Sequence, residues 1–187
     1  MLSAQGRRTL ICIARESIIS RIEGREPHYP RRLPELESPA GAFVSLHIID
    51  GLEPRLRGCI GRITSDRPLY DTVRETAVSA AFGDPRFPPL ERDEADNLVV
   101  EVSVLSPLVP IADVRTIKPG VHGILIEHGR NSGLLLPQVA AQHRWDRKTF
   151  LEQTCRKAGL APDAWRSPDT VLSVFTAEVF DEASTTV

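Results

Sequence analysis

Phe43-Val44-Ser45-Leu46-His47-Ile48-Ile49-Asp50-Gly51 and Arg55-Leu56-Arg57-Gly58-Cys59-Ile60-Gly61-Arg62-Ile63 read together as one β-hairpin. The first run is rich in strand formers, Asp50-Gly51 is a turn signal, and the second run brings the chain back. Alternation along the return strand predicts Arg55, Arg57, Cys59 and Ile63 on one face, with Leu56 and Ile60 on the other. A hairpin mixed with helices argues an α+β domain built on an antiparallel sheet, not a doubly wound parallel one.

Working outward, residues 3–22 carry Ile11, Ala14, Ile18 and Ile22 at helical spacing, with Ser3 as N-cap and Gly24 as stop. Pro27, Pro30, Pro34 and Pro39 make residues 25–39 an extended connector. Pro68 opens a helix that runs to Phe82, and Asp84-Pro85-Arg86-Phe87-Pro88-Pro89 forms a stiff loop. Strands are predicted over 97–105, 121–127 and 133–136. Helices follow from Pro137 to Arg144 and, capped by Asp146 and stopped by Gly159, over 147–158. A last strand spans 171–180. Residues 5–180 read as one domain, and 181–187 as a loose C-terminal tail.

Composition narrows the function classes. The 187 residues carry a formal charge of −2 and 5% aromatics, so neither a basic stripe nor a set of stacking platforms invites nucleic acid. The 20 arginines against 3 lysines fit genomic composition bias better than a phosphate-binding surface. No apolar run reaches membrane-spanning length, and no membrane association is expected. Cys12, Cys59 and Cys155 are three in number, widely spaced and without zinc-type partners, which predicts reduced thiols in a cytoplasmic protein and no metal site. Dinucleotide, P-loop, nucleophile-elbow and HExxH templates are missing, and no cofactor is indicated.

Cys59 is the leading candidate for chemistry. A nucleophilic cysteine needs a thiolate, a nearby base or positive charge, and access. Arg55, Arg57 and Arg62 could supply charge if they face the same way. Gly58 and Gly61 permit close approach of another backbone or of a ligand, or a bulge. The alternative is that Cys59 packs as a small hydrophobe. His122, between Val121 and Gly123 after Pro119-Gly120, is a candidate base or a turn residue. Glu101 interrupts an apolar strand; it is either ion-paired, with Arg57 as a possible partner, or held as a general acid/base. Asp84 and Arg86 flank Pro85 and either bind a ligand or hold a turn.

Leu56-Arg57-Gly58-Cys59-Ile60-Gly61 resembles the signature of the AMMECR family, whose prokaryotic members are called protein A of the AmmeMemoRadiSam system. The likeness extends, in the family's order, through Gly41 to Leu46, Ala80 to Leu90, Glu101 to Ser106 and Val121 to Ile124. It continues through Leu135 to Ala140, Trp145-Asp146 and Lys157 to Leu160. The resemblance implies an antiparallel sheet with flanking helices, a smaller second lobe and a cleft near the hexapeptide. It also implies a Memo-like protein and a radical S-adenosylmethionine enzyme as partners. In that setting Cys59 would be nucleophile or carrier, Arg57 an anion anchor, and His122 or Glu101 the proton carriers for a small-molecule ligand. Gly58, Gly61, Asp84 and Arg86 would line the ligand site. A non-catalytic docking protein, with the Asp84 to Leu90 loop as its recognition surface, is the second expectation. His47 lies outside the family segments and is set aside.

Overall fold

The computed structural model describes residues 1–51 and 53–185. The chain divides into two compact units, Met1–Leu105 with Glu178–Val187, and Ser106–Ala177. The first begins with helix α1 (Ala4–Glu23), where the Ser3 side chain accepts the Gly6 N–H and Gly24 ends the helix at φ 65°. Strands β1 (Ala42–Ile48) and β2 (Arg55–Arg62), helix α2 (Leu69–Phe82) and strand β3 (Leu98–Leu105) follow.

The second unit holds strands β4 (Val109–Ile111), β5 (Gly123–His128) and β6 (Asn131–Leu135), helices α3 (Pro137–Gln142) and α4 (Arg147–Lys157), and strand β7 (Thr170–Phe175). Its four-stranded sheet has the order β4-β7-β5-β6, and its paired strands run antiparallel. Ile124, Ile126, Leu172 and Val174 from that sheet bury against Phe150, Leu151 and Cys155 of α4. Strand β8 (Ala177–Asp181) and helix α5 (Glu182–Thr185) return to the first unit. The first sheet therefore has the order β2-β1-β3-β8, which places β2 at its edge.

The fold class is the expected α+β. Two predicted elements differ. The single strand expected over 171–180 is two strands in two sheets. They part at Thr176, whose N–H and C=O bond the Oγ and N–H of Ser106, both at 2.9 Å. Leu172 and Val174 enter one core and Phe180 the other, so the apolar run is continuous in sequence although its burial is divided. The tail also differs. Glu182 in α5 grips Arg15 through both carboxylate oxygens and accepts the Val100 N–H at 3.2 Å. Residues 186–187 lie outside the described residues.

The first core lies on one face of β1. Ala42, Val44, Leu46 and Ile48 point into it, with Leu10, Ile13, Ala14 and Ile18 of α1 and Val73, Ala77 and Ala80 of α2. This is the two-residue period of a strand matched to the apolar stripes of two helices. The odd positions Phe43, Ser45 and His47 are consequently turned to the opposite face.

Candidate functional site

The hairpin register departs from simple alternation. Leu46 pairs with Gly58 and His47 pairs with Leu56, so Arg57 is the extra residue of a β-bulge. The bulge overturns the expected faces. Leu56, opposite His47, shares the side of Cys59, opposite Ser45, and Arg57 leaves the alternation altogether. Sequence periodicity cannot reveal a bulge, because one inserted residue preserves the composition on both sides of it.

Arg57 is 4% exposed and fully engaged. Its Nε and one terminal nitrogen meet both oxygens of Glu94 at 2.6 and 2.8 Å, and its terminal nitrogens bond the carbonyls of Pro88 and Pro89 at 2.9 and 3.2 Å. The expected pairing of Arg57 with Glu101 is thereby replaced by Glu94, whose carboxyl the guanidinium holds below the usual range. Arg55 pairs with Asp50 at 3.2 Å and Arg62 with Glu75 at 3.4 Å. The three arginines adjacent in sequence are thus directed to carboxylates.

Asp84 and Arg86 are the residues that reach Cys59. The Cys59 N–H donates to Asp84 Oδ2 at 2.9 Å, and an Arg86 terminal nitrogen donates to the Cys59 carbonyl at 3.3 Å. Arg86 also bonds Asp84 through Nε and a terminal nitrogen at 2.9 and 2.6 Å. Side chains thus satisfy the outward backbone groups of an edge strand at Cys59. The Arg86 side chain, with the Cys59 and Arg86 N–H groups behind it, holds the Asp84 carboxyl far below the ordinary aspartate range. The Asp84 side chain is 2% exposed and that of Arg86 53%. Arg57 and Arg86 both lie over the Phe87 ring, at 5.9 and 5.4 Å.

Both glycines of the hexapeptide have packing duties. A Cβ at Gly58 would strike the Ala80 carbonyl of α2, and one at Gly61 would enter the Phe43 ring that crosses it from β1. Gly58 is thus the point where helix and sheet backbones meet.

On the face away from the core, the register aligns Glu101, Ser45 and Cys59 in one row across β3, β1 and β2. Ser45 Oγ donates to Cys59 Sγ at 3.3 Å. Burial pushes the Glu101 carboxyl up, with His47 opposing and Asp181 assisting. His47 lies two residues beyond Ser45 on the same face, so register restores the histidine that motif matching set aside. Ser45 is the site residue the sequence did not disclose; only its pairing with both Cys59 and Glu101 brings it in.

His122 belongs to the second unit. It is half-buried, and its Nδ1 accepts the Lys118 N–H at 3.3 Å across the turn that contains Gly120 at φ 82°. Cys12 is exposed and Cys155 buried. Among the described residues no group of three or more His, Cys, Asp or Glu is placed to hold a metal ion, and no helix is long and apolar enough to cross a membrane.

Fold and site together define a class: a two-sheet α+β protein with a cysteine in the edge strand, bracketed by an Asp-Arg loop. The AMMECR1 family model matches residues 11–180, and the chain belongs to that family. Protein NEQ441 of Nanoarchaeum equitans is 42% identical over 177 residues, covering 91% of this chain and 97% of that protein. Protein PH0010 of Pyrococcus horikoshii is 45% identical over 182 residues, covering 92% of this chain and 88% of that protein. The crystal structure of PH0010, described as an uncharacterized protein, superposes with a TM-score of 0.86 at 43% identity, covering 94% of this chain and 91% of that one.

Proposed function

We propose that this protein binds or processes a small molecule at Cys59, in a pathway shared with Memo-like and radical S-adenosylmethionine proteins. The observation that carries the reading is the Glu101-Ser45-Cys59 row, a nucleophile, a hydroxyl and a carboxyl on one sheet face. Arg86, rather than the buried Arg57, is the cation available to an anionic part of the ligand. The Asp84 ion pair keeps it in place beside the Cys59 carbonyl. The family implies the pathway; the row supports chemistry at the sulfur.

The test is alkylation of the folded protein across a range of pH, read by mass spectrometry, with exposed Cys12 and buried Cys155 as internal controls. Burial raises the Cys155 thiol, so it marks the unreactive limit. Rapid modification of Cys59 in the folded protein is the expected result. Inertness until unfolding would remove this reading.

The loop Asp84 to Leu90 supports a second reading, as a docking surface for those partner proteins. Pro85, Arg86, Pro88 and Pro89 are exposed, although Arg57 and Asp84 tether the segment on both sides. Co-purification with a Memo-like protein or the radical enzyme, lost on Arg86→Ala, is expected under that reading. Absence of any complex would discard it.

A further inference from the structure

A cavity of about 600 Å³ lies in the first unit, between α1 and the connector that precedes β1. Helix α1 packs on the core face of β1, whereas Cys59 stands with Ser45 on the opposite face, so the cavity is separate from the Cys59 site. Gln5 and Thr9 of α1 form one wall. Pro30, Leu33 and Pro34 form the other, with Arg31, Arg32 and Glu37 around them. Its volume falls in the range of about 300–1,000 Å³ usual for small-molecule sites. We propose that it is a second binding site, for a small monocarboxylic acid with an apolar body. The Arg31 guanidinium and the Thr9 hydroxyl hold the carboxylate.

The connector is fixed from outside the cavity. Glu35 accepts the Ser3 N–H at 3.0 Å and the Ser3 hydroxyl at 2.5 Å. Gly6 lets that carboxylate lie against the helix, since a Cβ there would strike it. Leu36 is fully buried. Farther back, Arg32 bonds both oxygens of Asp71 at 2.9 and 3.1 Å and lies over the Tyr70 ring at 4.3 Å. The walls are therefore formed before any ligand arrives, and binding need not order them.

Two polar groups of the cavity are left over by the fold. Thr9 is 8% exposed, and its hydroxyl forms no hydrogen bond among the described residues. Ser17, Thr76 and Thr154, also buried in helices, return theirs to the carbonyl four residues back at 2.7, 2.8 and 2.8 Å. A buried hydroxyl without a partner is costly, and a ligand in the cavity can supply one. Arg31 is exposed and engaged by no carboxylate among the described residues. Arg32 is instead shared by Asp71 and Glu37, the latter at 3.5 Å. One free guanidinium beside the Glu37 carboxylate sets the charge of the ligand. The planar fork fits a carboxylate, and Glu37 opposes a second negative charge. Pro30, Leu33 and Pro34 take the hydrocarbon part.

The test is two-dimensional proton–nitrogen NMR of the full chain, titrated in turn with butyrate, isovalerate, benzoate and phenylacetate. At least one of these acids should shift Gln5, Thr9 and Leu33 saturably, while its uncharged amide and inorganic phosphate bind at least about tenfold more weakly. Arg31→Gln should weaken the acid about tenfold and Thr9→Val about fivefold, the scale of a charged and of an ordinary hydrogen bond. Thr9→Val should not lower the melting temperature, because the fold loses no partner. Cys59→Ser should leave the shifts unchanged. Absence of saturable shifts with all four acids overturns the proposal, and so does equal binding of the amide or of phosphate. Undiminished binding to Arg31→Gln, or a marked fall in melting temperature on Thr9→Val, would overturn it too. Shifts lost on Cys59→Ser would assign the acid to the Cys59 site and refute a second one.

Discussion

Both carboxylate oxygens of Asp84 are committed to N–H donors of Arg86 and Cys59, and this sets how the site responds to acid. A carboxyl whose folded pKa is depressed stabilises the native state above its unfolded pKa. That stability is lost as pH falls toward the folded value. Asp84→Asn should lower stability by about 2 kcal/mol at neutral pH, the scale of hydrogen bonds to a charged group. The difference from the native protein should shrink as pH drops below about 4, the unfolded aspartate value. Urea titrations at several pH values read this directly. A constant difference would mean that the carboxylate charge contributes nothing.

At the scale of elements, β2 is an edge strand whose exposed side is closed by a loop rather than by another strand. The loop has two attachments. Asp84 and Arg86 hold the backbone of Cys59, and Arg57, displaced from the ladder by the bulge, holds the carbonyls of Pro88 and Pro89. Glu94 completes the second attachment by bonding the Glu91 N–H at 3.0 Å, which caps the short helix Arg92–Asn97. A lysine at 57 keeps the charge but cannot reproduce the planar fork. Arg57→Lys should therefore cost about 2 kcal/mol. It should also speed amide hydrogen exchange across residues 84–97 with little change in α1. Uniform exchange throughout the first unit would show that the loop is not separately tethered.

At the scale of the whole molecule, the described residues form two hydrophobic cores, one on α1 and α2 with the first sheet, the other on α4 with the second. The first unit is closed by the chain's last strand, since β8 completes a sheet begun more than a hundred residues earlier. Phe150 is fully buried in the second core. Phe150→Ala should cost about 3–5 kcal/mol, with hydrogen-exchange protection falling more in β5 and β7 than in β1 and β3. Equal loss in both sheets would mean that the cores unfold as one cooperative body.

Local signals carried much of this protein. Ser3 and Gly24, Asp146 and Gly159, and Pro137 mark helix ends because capping acts over a few residues. The hairpin and the α+β class follow from runs with strand period separated by a turn signal. The hexapeptide and its companion segments marked the family. Tertiary structure alone decided the rest, since each missed feature depends on what a residue meets across space. The bulge at Arg57 arises from pairing with β1, the division at Thr176 from two sheets competing for one apolar run. The Glu101-Ser45-Cys59 row exists only because β3, distant in sequence, comes into register with the β1-β2 hairpin.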